Sequence, residues 1–427
     1  MKILNFRLNK QLIFIVALVA VNIFFIGILF NGHLNFNLLE KTDQRQKVEI
    51  APADYREVLA IKGQNWDFRQ LSNFFRDLAN KKGGEYAYKA LAYAANFNYL
   101  PPNIDTHLLG HVVGDILFKQ EGISGIKVCT DDLRNACSHS IVVGALLQEG
   151  AGALPKIVTA CKLTPGGKGA YGMCIHGLGH GVLGYYEYDM QKAVGLCKQI
   201  GTAEYNNVEI GQCTGGVTME MVAGVHDPIA WAKQKNNYLT KTDPLSPCDR
   251  DFIPLSGQSF CYTYLTPHLF ETAGADLGRP DPKYYHQAMA YCGQMPSSQK
   301  QNLATCFGSF GKEFVVLANS RNVQNVQSMT DDQLSLVYKW CTVSGITEAV
   351  APCVSSALSS LYWGGENDRN VSIRFCQVIT NLQNRSQCFS ELTQAVSYYI
   401  QDQSYKTSYC SEIPKAYQTD CRRLLIL

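Results

Sequence analysis

The sequence predicts an all-α fold: disulfide-stapled αα-hairpin repeats, curved into a solenoid or toroid, behind a single N-terminal transmembrane helix. Three observations carry that expectation. An uncharged apolar run opens the chain, sixteen cysteines follow it in neighbouring pairs, and the segments between the pairs are apolar at helical spacing.

The apolar run, LIFIVALVAVNIFFIGILF at residues 12–30, holds 19 residues without a charge. At about 1.5 Å per residue, a helix of that length spans a bilayer core. Lys2, Arg7 and Lys10 precede it and should stay in the cytoplasm, which sends the rest of the chain outside. A cleaved signal peptide has a shorter apolar core followed by a small-residue cleavage site, and ILFNGHLNF supplies none. The expected organisation is a cytoplasmic tail (residues 1–11), a signal anchor (12–30), a stalk (31–53) and an extracytoplasmic domain (54–427), periplasmic or extracellular. Lys and Arg (38) nearly balance Asp and Glu (36) without long runs of one sign, so no nucleic-acid partner is indicated and the membrane is met only through residues 12–30.

All sixteen cysteines lie between Cys129 and Cys421, and none forms a C-x-x-C, which removes zinc ribbons and thioredoxin-type redox pairs. Disulfides in an oxidising compartment remain. Taken in order they pair as neighbours with separations of 8 to 16, and successive first cysteines are 32 to 51 residues apart, the period of two-helix repeats. Each unit then reads as a helix, a first cysteine, a loop, and a second cysteine opening the next helix. KQNLATCFGSFGKEFVVLA places Leu303, Phe307, Phe310 and Phe314 on one helical face, and turn residues such as LTPGGKG fall inside the pairs. The likeness is to disulfide-stapled repeats with short TPR-like units. Residues 54–104 are cysteine-free and read as a helical cap, 105–270 as histidine-bearing repeats and 271–427 as C-terminal repeats.

The histidines follow the repeat. His139 and His176 each lie two residues after a second cysteine, and His180 lies six after. His107 and His111 sit in HLLGHVV, which shares the pattern H-x-L-G-H-x-V with HGLGHGV at His176 and His180, 69 residues on. Histidines four apart on a helix project from the same face and can ligate one metal. If equivalent helices line one wall, His107, His111, His139, His176 and His180 converge as a metal cluster for copper, zinc or iron. Glu187, eleven residues after His176, and Asp115, four after His111, are candidate ligands or acceptors for an imidazole. His226 and His268 are weaker candidates, and His286 weaker still. Gly177, Gly179 and Gly181 require something close to that helix backbone, either a crossing helix or a flat cofactor.

No H-E-x-x-H, G-x-S-x-G or phosphate-cradling loop occurs. The leading expectation is a metal-dependent enzyme, with redox chemistry among its options, since two histidines from one helix and a third from another is similar to the ligand spacing of coupled binuclear copper sites. A second is metal-free acid/base chemistry of a lyase or hydrolase on an αα-toroid, with His176 or His180 as base and Glu187, Glu220 or Tyr185 as partner. The third is a non-enzymatic scaffold for a protein or glycan, with 23 tyrosines and 19 phenylalanines as contact area.

Overall fold

In a computed structural model of the protein, the described residues are 55–101, 104–224, 226–277, 279, 281–321, 326–362, 369–400 and 402–426. The expected anchor at residues 12–30, its flanks and His33 lie outside them. No helix among the described residues is long and apolar enough to cross a membrane.

The described residues are helical, with no strand beyond one isolated bridge between Thr240 and Asp243. Two helices lead, α1 (Phe68–Lys82) and α2 (Gly84–Asn96), followed by α3 (Thr106–Glu121), α4 (Ala136–Glu149), α5 (Leu154–Cys161), α6 (Gly167–Tyr185), α7 (Met190–Cys197) and α8 (Val208–Ala223). Then come α9 (Pro228–Tyr238), α10 (Leu255–Tyr264), α11 (Thr266–Ala273), α12 (Pro282–Cys292), α13 (Lys300–Ala318), α14 (Asp331–Cys341) and α15 (Thr347–Tyr362). The last four are α16 (Arg369–Val378), α17 (Leu382–Tyr399), α18 (Gln403–Glu412) and α19 (Lys415–Leu425). The starts have local causes. Asp67 and Gln70 form a reciprocal capping box on α1, and Asp105 accepts from the Leu108 amide to open α3. Proline occupies the first turn of α5, α9, α11 and α12, where its missing N–H is no loss.

The repeat is built from a row of long helices, α3, α4, α6, α8, α10, α13, α15, α17 and α19, each packed on the next. Every cysteine pairs with its neighbour, from Cys129–Cys137 to Cys410–Cys421, and none is free. Loops of this size lower the entropy of the unfolded chain by roughly 3 kcal/mol per bridge on the loop-closure account. One detail differs from the sequence reading. The second cysteine does not open its helix in most units: Cys174, Cys213 and Cys306 sit one to two turns inside α6, α8 and α13. Stapling from within the helix leaves the first turns free to carry the loop.

That position also explains the spacing of some glycines. Five residues after the second cysteine stand Gly179 and Gly311. A Cβ on Gly179 would lie 2.2 Å from the Cys213 carbonyl oxygen, and one on Gly311 would lie 2.0 Å from that of Cys353. Glycine at this point lets α6 meet α8, and α13 meet α15, backbone to backbone. The result is one contiguous apolar core running from the leading helices to the last repeat.

Candidate metal centre

The centre forms where α3, α4, α6 and α8 meet. In α3, His107 and His111 share a face and Gly110 lies between them, where a Cβ would fall 2.7 Å from that of Ala136 and 3.2 Å from Leu133 Cδ1. The absent side chain admits the turn that enters α4. Leu133, Arg134 and Asn135 in that turn have φ of +56°, +55° and +62°. Left-handed backbone at non-glycine residues costs about 1–3 kcal/mol each and persists only when the surroundings fix it. Here it aims the Leu133 carbonyl at His107 Nδ1, 2.8 Å away. His139 projects from α4 into the gap beside Gly177, where a Cβ would be 2.3 Å from the imidazole Cδ2. Gly181 leaves room for Val143 in the same way, a Cβ there lying 3.1 Å from the Val143 Cα. The space beside Gly177, Gly179 and Gly181 is thus taken by helix neighbours.

His139 sits at the middle of the cluster. Its ring centroid is 5.7 Å from His107, 5.9 Å from His111, 5.9 Å from His176 and 5.8 Å from His180. It is 3% exposed, and His176 is 1% exposed.

Two of the imidazole protons are placed by backbone carbonyls. A carbonyl only accepts, so His107 Nδ1 donates to Leu133. The Ser140 hydroxyl lies 3.0 Å from the His111 carbonyl, to which it donates, and 3.0 Å from His111 Nδ1. His139 Nε2 donates to the Met173 carbonyl at 3.0 Å, and its buried Nδ1 has no hydrogen-bond partner. Burial, opposed at His107 by the Leu133 hydrogen bond and reinforced at His111 and His139 by neighbouring histidines, holds all three below the usual histidine range. In the neutral form, His107 Nε2 and His139 Nδ1 each carry a bare lone pair. The Nε2 atoms of His107 and His111 face each other at 3.1 Å, within hydrogen-bonding distance. A tetrahedral ion with bonds of about 2.1 Å spaces its ligand atoms about 3.4 Å apart, so a cation could replace the proton of this contact with little movement. One ring nitrogen from each of His107, His111 and His139 lies within 4.8 Å of the others.

A second group, His180, Glu220 and His226, meets the same distance criterion of 4.8 Å. Glu220 on α8 is 1% exposed. One of its oxygens accepts from His180 Nδ1 at 3.2 Å and His226 Nδ1 at 2.7 Å, the other from the Tyr188 hydroxyl and the His226 amide. Burial pushes its carboxyl up, but the hydrogen bonds from His180 and His226 outweigh burial and hold it far below the usual carboxylate range. Burial likewise pushes His226 down, and the bond to Glu220 outweighs it and leaves the imidazole above its ordinary value. His180 Nε2 and His176 Nε2 lie 3.3 Å apart, within hydrogen-bonding distance. His176 is held well below the histidine range by burial and the adjacent His180.

His107, His111, His176 and His180 thus each lie within 5.9 Å of His139, ring centre to ring centre, but they divide between the two ligand groups and His176 belongs to neither. Glu187 is not with them: α6 ends at Tyr185, Glu187 turns away with φ +50°, and its side chain is exposed. Tyr185 is also exposed, beside Gly150. Asp115 is exposed, bonds the Ser140 hydroxyl, and is not in either ligand group. His268 is buried on α11 beside Thr240 and Thr272, lining a separate pocket with Lys235, Lys241 and Glu271. His286 is exposed. Tyr188, which follows a helix end with φ +64°, had no sequence signal for its place on Glu220. No family profile, no curated protein and no solved structure matches this chain.

Proposed function

We propose that this is an extracytoplasmic protein, anchored by residues 12–30, whose histidine cluster binds copper, zinc or iron and supports metal-dependent chemistry. The observation that carries the reading is the facing pair of Nε2 atoms on His107 and His111, whose rings are bonded on the far side to Leu133 and Ser140, with His139 Nδ1 bare on the next helix. Second-sphere acceptors of this kind orient metal-ligating imidazoles. Neutral imidazoles suit all three metals. Eight disulfides support an oxidising compartment. A bound ion would act as a Lewis acid or redox centre, with Glu220 placed to hold or pass a proton through His180 and His226.

A metal-free acid/base role is the second reading, because the Glu220 network is satisfied by His180, His226 and Tyr188 alone. Metal analysis separates the two. Full-length protein expressed with copper, zinc and iron present should retain one of them at one or two ions per chain, and a His107→Ala, His111→Ala double variant should lose at least one equivalent. Protein that stays metal-free under those conditions contradicts the first reading.

A further inference from the structure

An ion held by His107, His111 and His139 leaves a second set of metal-ligating side chains without an assigned ion. In that set the Nδ1 atoms of His180 and His226 converge on a single carboxylate oxygen, Oε2 of Glu220, at 3.2 Å and 2.7 Å. One ligand atom from each of the three residues lies within 4.8 Å of the others. The set shares no residue with the first group and is drawn from three segments, His180 from α6, Glu220 from α8 and His226 from the turn that follows α8.

The side chains around this set hold it in place. The second oxygen of Glu220, Oε1, accepts from the Tyr188 hydroxyl and, at 2.9 Å, from the His226 amide, so the carboxylate cannot turn and Oε2 stays presented to the two imidazoles. His180 is backed from its other side. Its Nε2 lies 3.3 Å from His176 Nε2, which can accept the imidazole proton once an ion occupies Nδ1. Hydrogen-bond partners behind the ligating groups are what orient metal ligands. Two imidazole nitrogens and one carboxylate oxygen suit Fe(II) or Zn(II), and a site with only three protein ligands keeps positions open. Exposure places that opening. The side chains of Glu220 and His180 are 1% and 10% exposed, and that of His226 is 33% exposed, so the set has a buried floor and a way in from solvent beside His226.

We propose that His180, Glu220 and His226 bind a second divalent ion, Fe(II) or Zn(II) in class, through His180 Nδ1, His226 Nδ1 and Glu220 Oε2, with positions open beside His226 for a small exogenous ligand. The ion takes the place of the protons that the two imidazoles share with Glu220 in the metal-free protein. Each ring then keeps one proton, on Nε2, and that of His180 points at His176. Tyr188 and His176 are positioning residues. The site goes beyond the reading above, since neither ion needs a ligand of the other and each stands or falls alone.

The test uses Co(II) as the probe, because it takes the same nitrogen and oxygen ligands and reports its coordination in the visible spectrum. Metal-free full-length protein is titrated, and bound cobalt is counted after desalting. Wild type should hold two equivalents. His226→Ala, at the exposed member of the set, should hold one, and so should Glu220→Gln; the first keeps the test valid if the second misfolds. Tyr188→Phe should keep both ions but bind one of them about 10- to 100-fold more weakly, whereas a purely structural role would weaken both alike. The His107→Ala, His111→Ala double variant should retain the second ion alone, and azide added to it should shift the cobalt bands saturably. Two equivalents in both His226→Ala and Glu220→Gln, or a wild type whose single equivalent the double variant loses, overturns the second site. A spectrum in the double variant that azide leaves unchanged overturns the open positions. A single equivalent lost in His226→Ala and kept in the double variant sustains the second site and sinks the first, and a wild type that binds no cobalt ends both.

Discussion

Replacing Gly179 with alanine should destabilise the domain, although the same change at Gly184, in the same helix, should not. Glycine inside a helix is about 1 kcal/mol worse than alanine, so with nothing else changed the substitution is stabilising. At Gly179 the new methyl would lie 2.2 Å from the Cys213 carbonyl oxygen, 2.8 Å from the Val217 amide nitrogen and 2.9 Å from the Gly216 Cα. All three are backbone atoms of α8, and no rotamer change can clear them. The helices must separate by about 1 Å to restore ordinary contact, against a bridge from Cys197 to Cys213 that holds α8 in place. Overpacking of a tight core costs about 1–3 kcal/mol or more, which exceeds the propensity gain. Gly184, in the same helix, has nothing within 4 Å of its virtual Cβ and no positive φ. Gly184→Ala is therefore expected to stabilise by up to about 1 kcal/mol, while Gly179→Ala loses a net 1 kcal/mol or more. Denaturant unfolding with the disulfides intact measures both. Equal effects in the two variants would refute the claim that the glycines exist for helix contact.

Three further outcomes follow from single contacts. Ser140→Ala removes the hydroxyl bonded to His111 Nδ1, and should cut metal affinity by about 10- to 100-fold in a chelator competition without changing unfolding by more than about 1 kcal/mol. Replacing both Cys410 and Cys421 with serine opens a loop of separation 11 at the end of the stack. It should cost about 3 kcal/mol in unfolding and leave metal content unchanged, because no histidine of the cluster lies in that repeat. Hydrogen bonds from Lys82 and Tyr86 hold the Glu57 carboxyl down at about 2, against 4.5 when free. Its folded-state value is depressed, so its contribution is complete above pH 4.5 and is lost as pH falls towards 2. Glu57→Gln should remove that part of the acid dependence, seen as a shallower loss of stability over that range than in wild type.

Much of the site was legible because the repeat constrains it. Cysteine order gave the phase, and histidines in the same phase of α3, α4 and α6 fell together. What the pattern could not reach lies past helix ends or in distant repeats. Glu187 is at a helical spacing from His176, but α6 stops at Tyr185 and a left-handed residue redirects the chain, so extrapolating the helix misplaced it. Glu220 carries the role expected of such an acidic residue, from the next long helix. His226 follows α8 by a few residues, and only the fold of that turn brings it back over Glu220. The glycines of HGLGHG had two open explanations from sequence, and the contacts of Gly177 with His139 and of Gly179 with α8 account for their small size through packing.

The most direct measurement is an anomalous difference map from metal-loaded crystals, collected above the absorption edge of the bound metal. The account expects a peak about 2.0–2.2 Å from His107 Nε2, His111 Nε2 and His139 Nδ1, with His107 still bonded to the Leu133 carbonyl and His111 to Ser140. A map with no peak among these atoms, or with metal only at an exposed histidine such as His286, would contradict it.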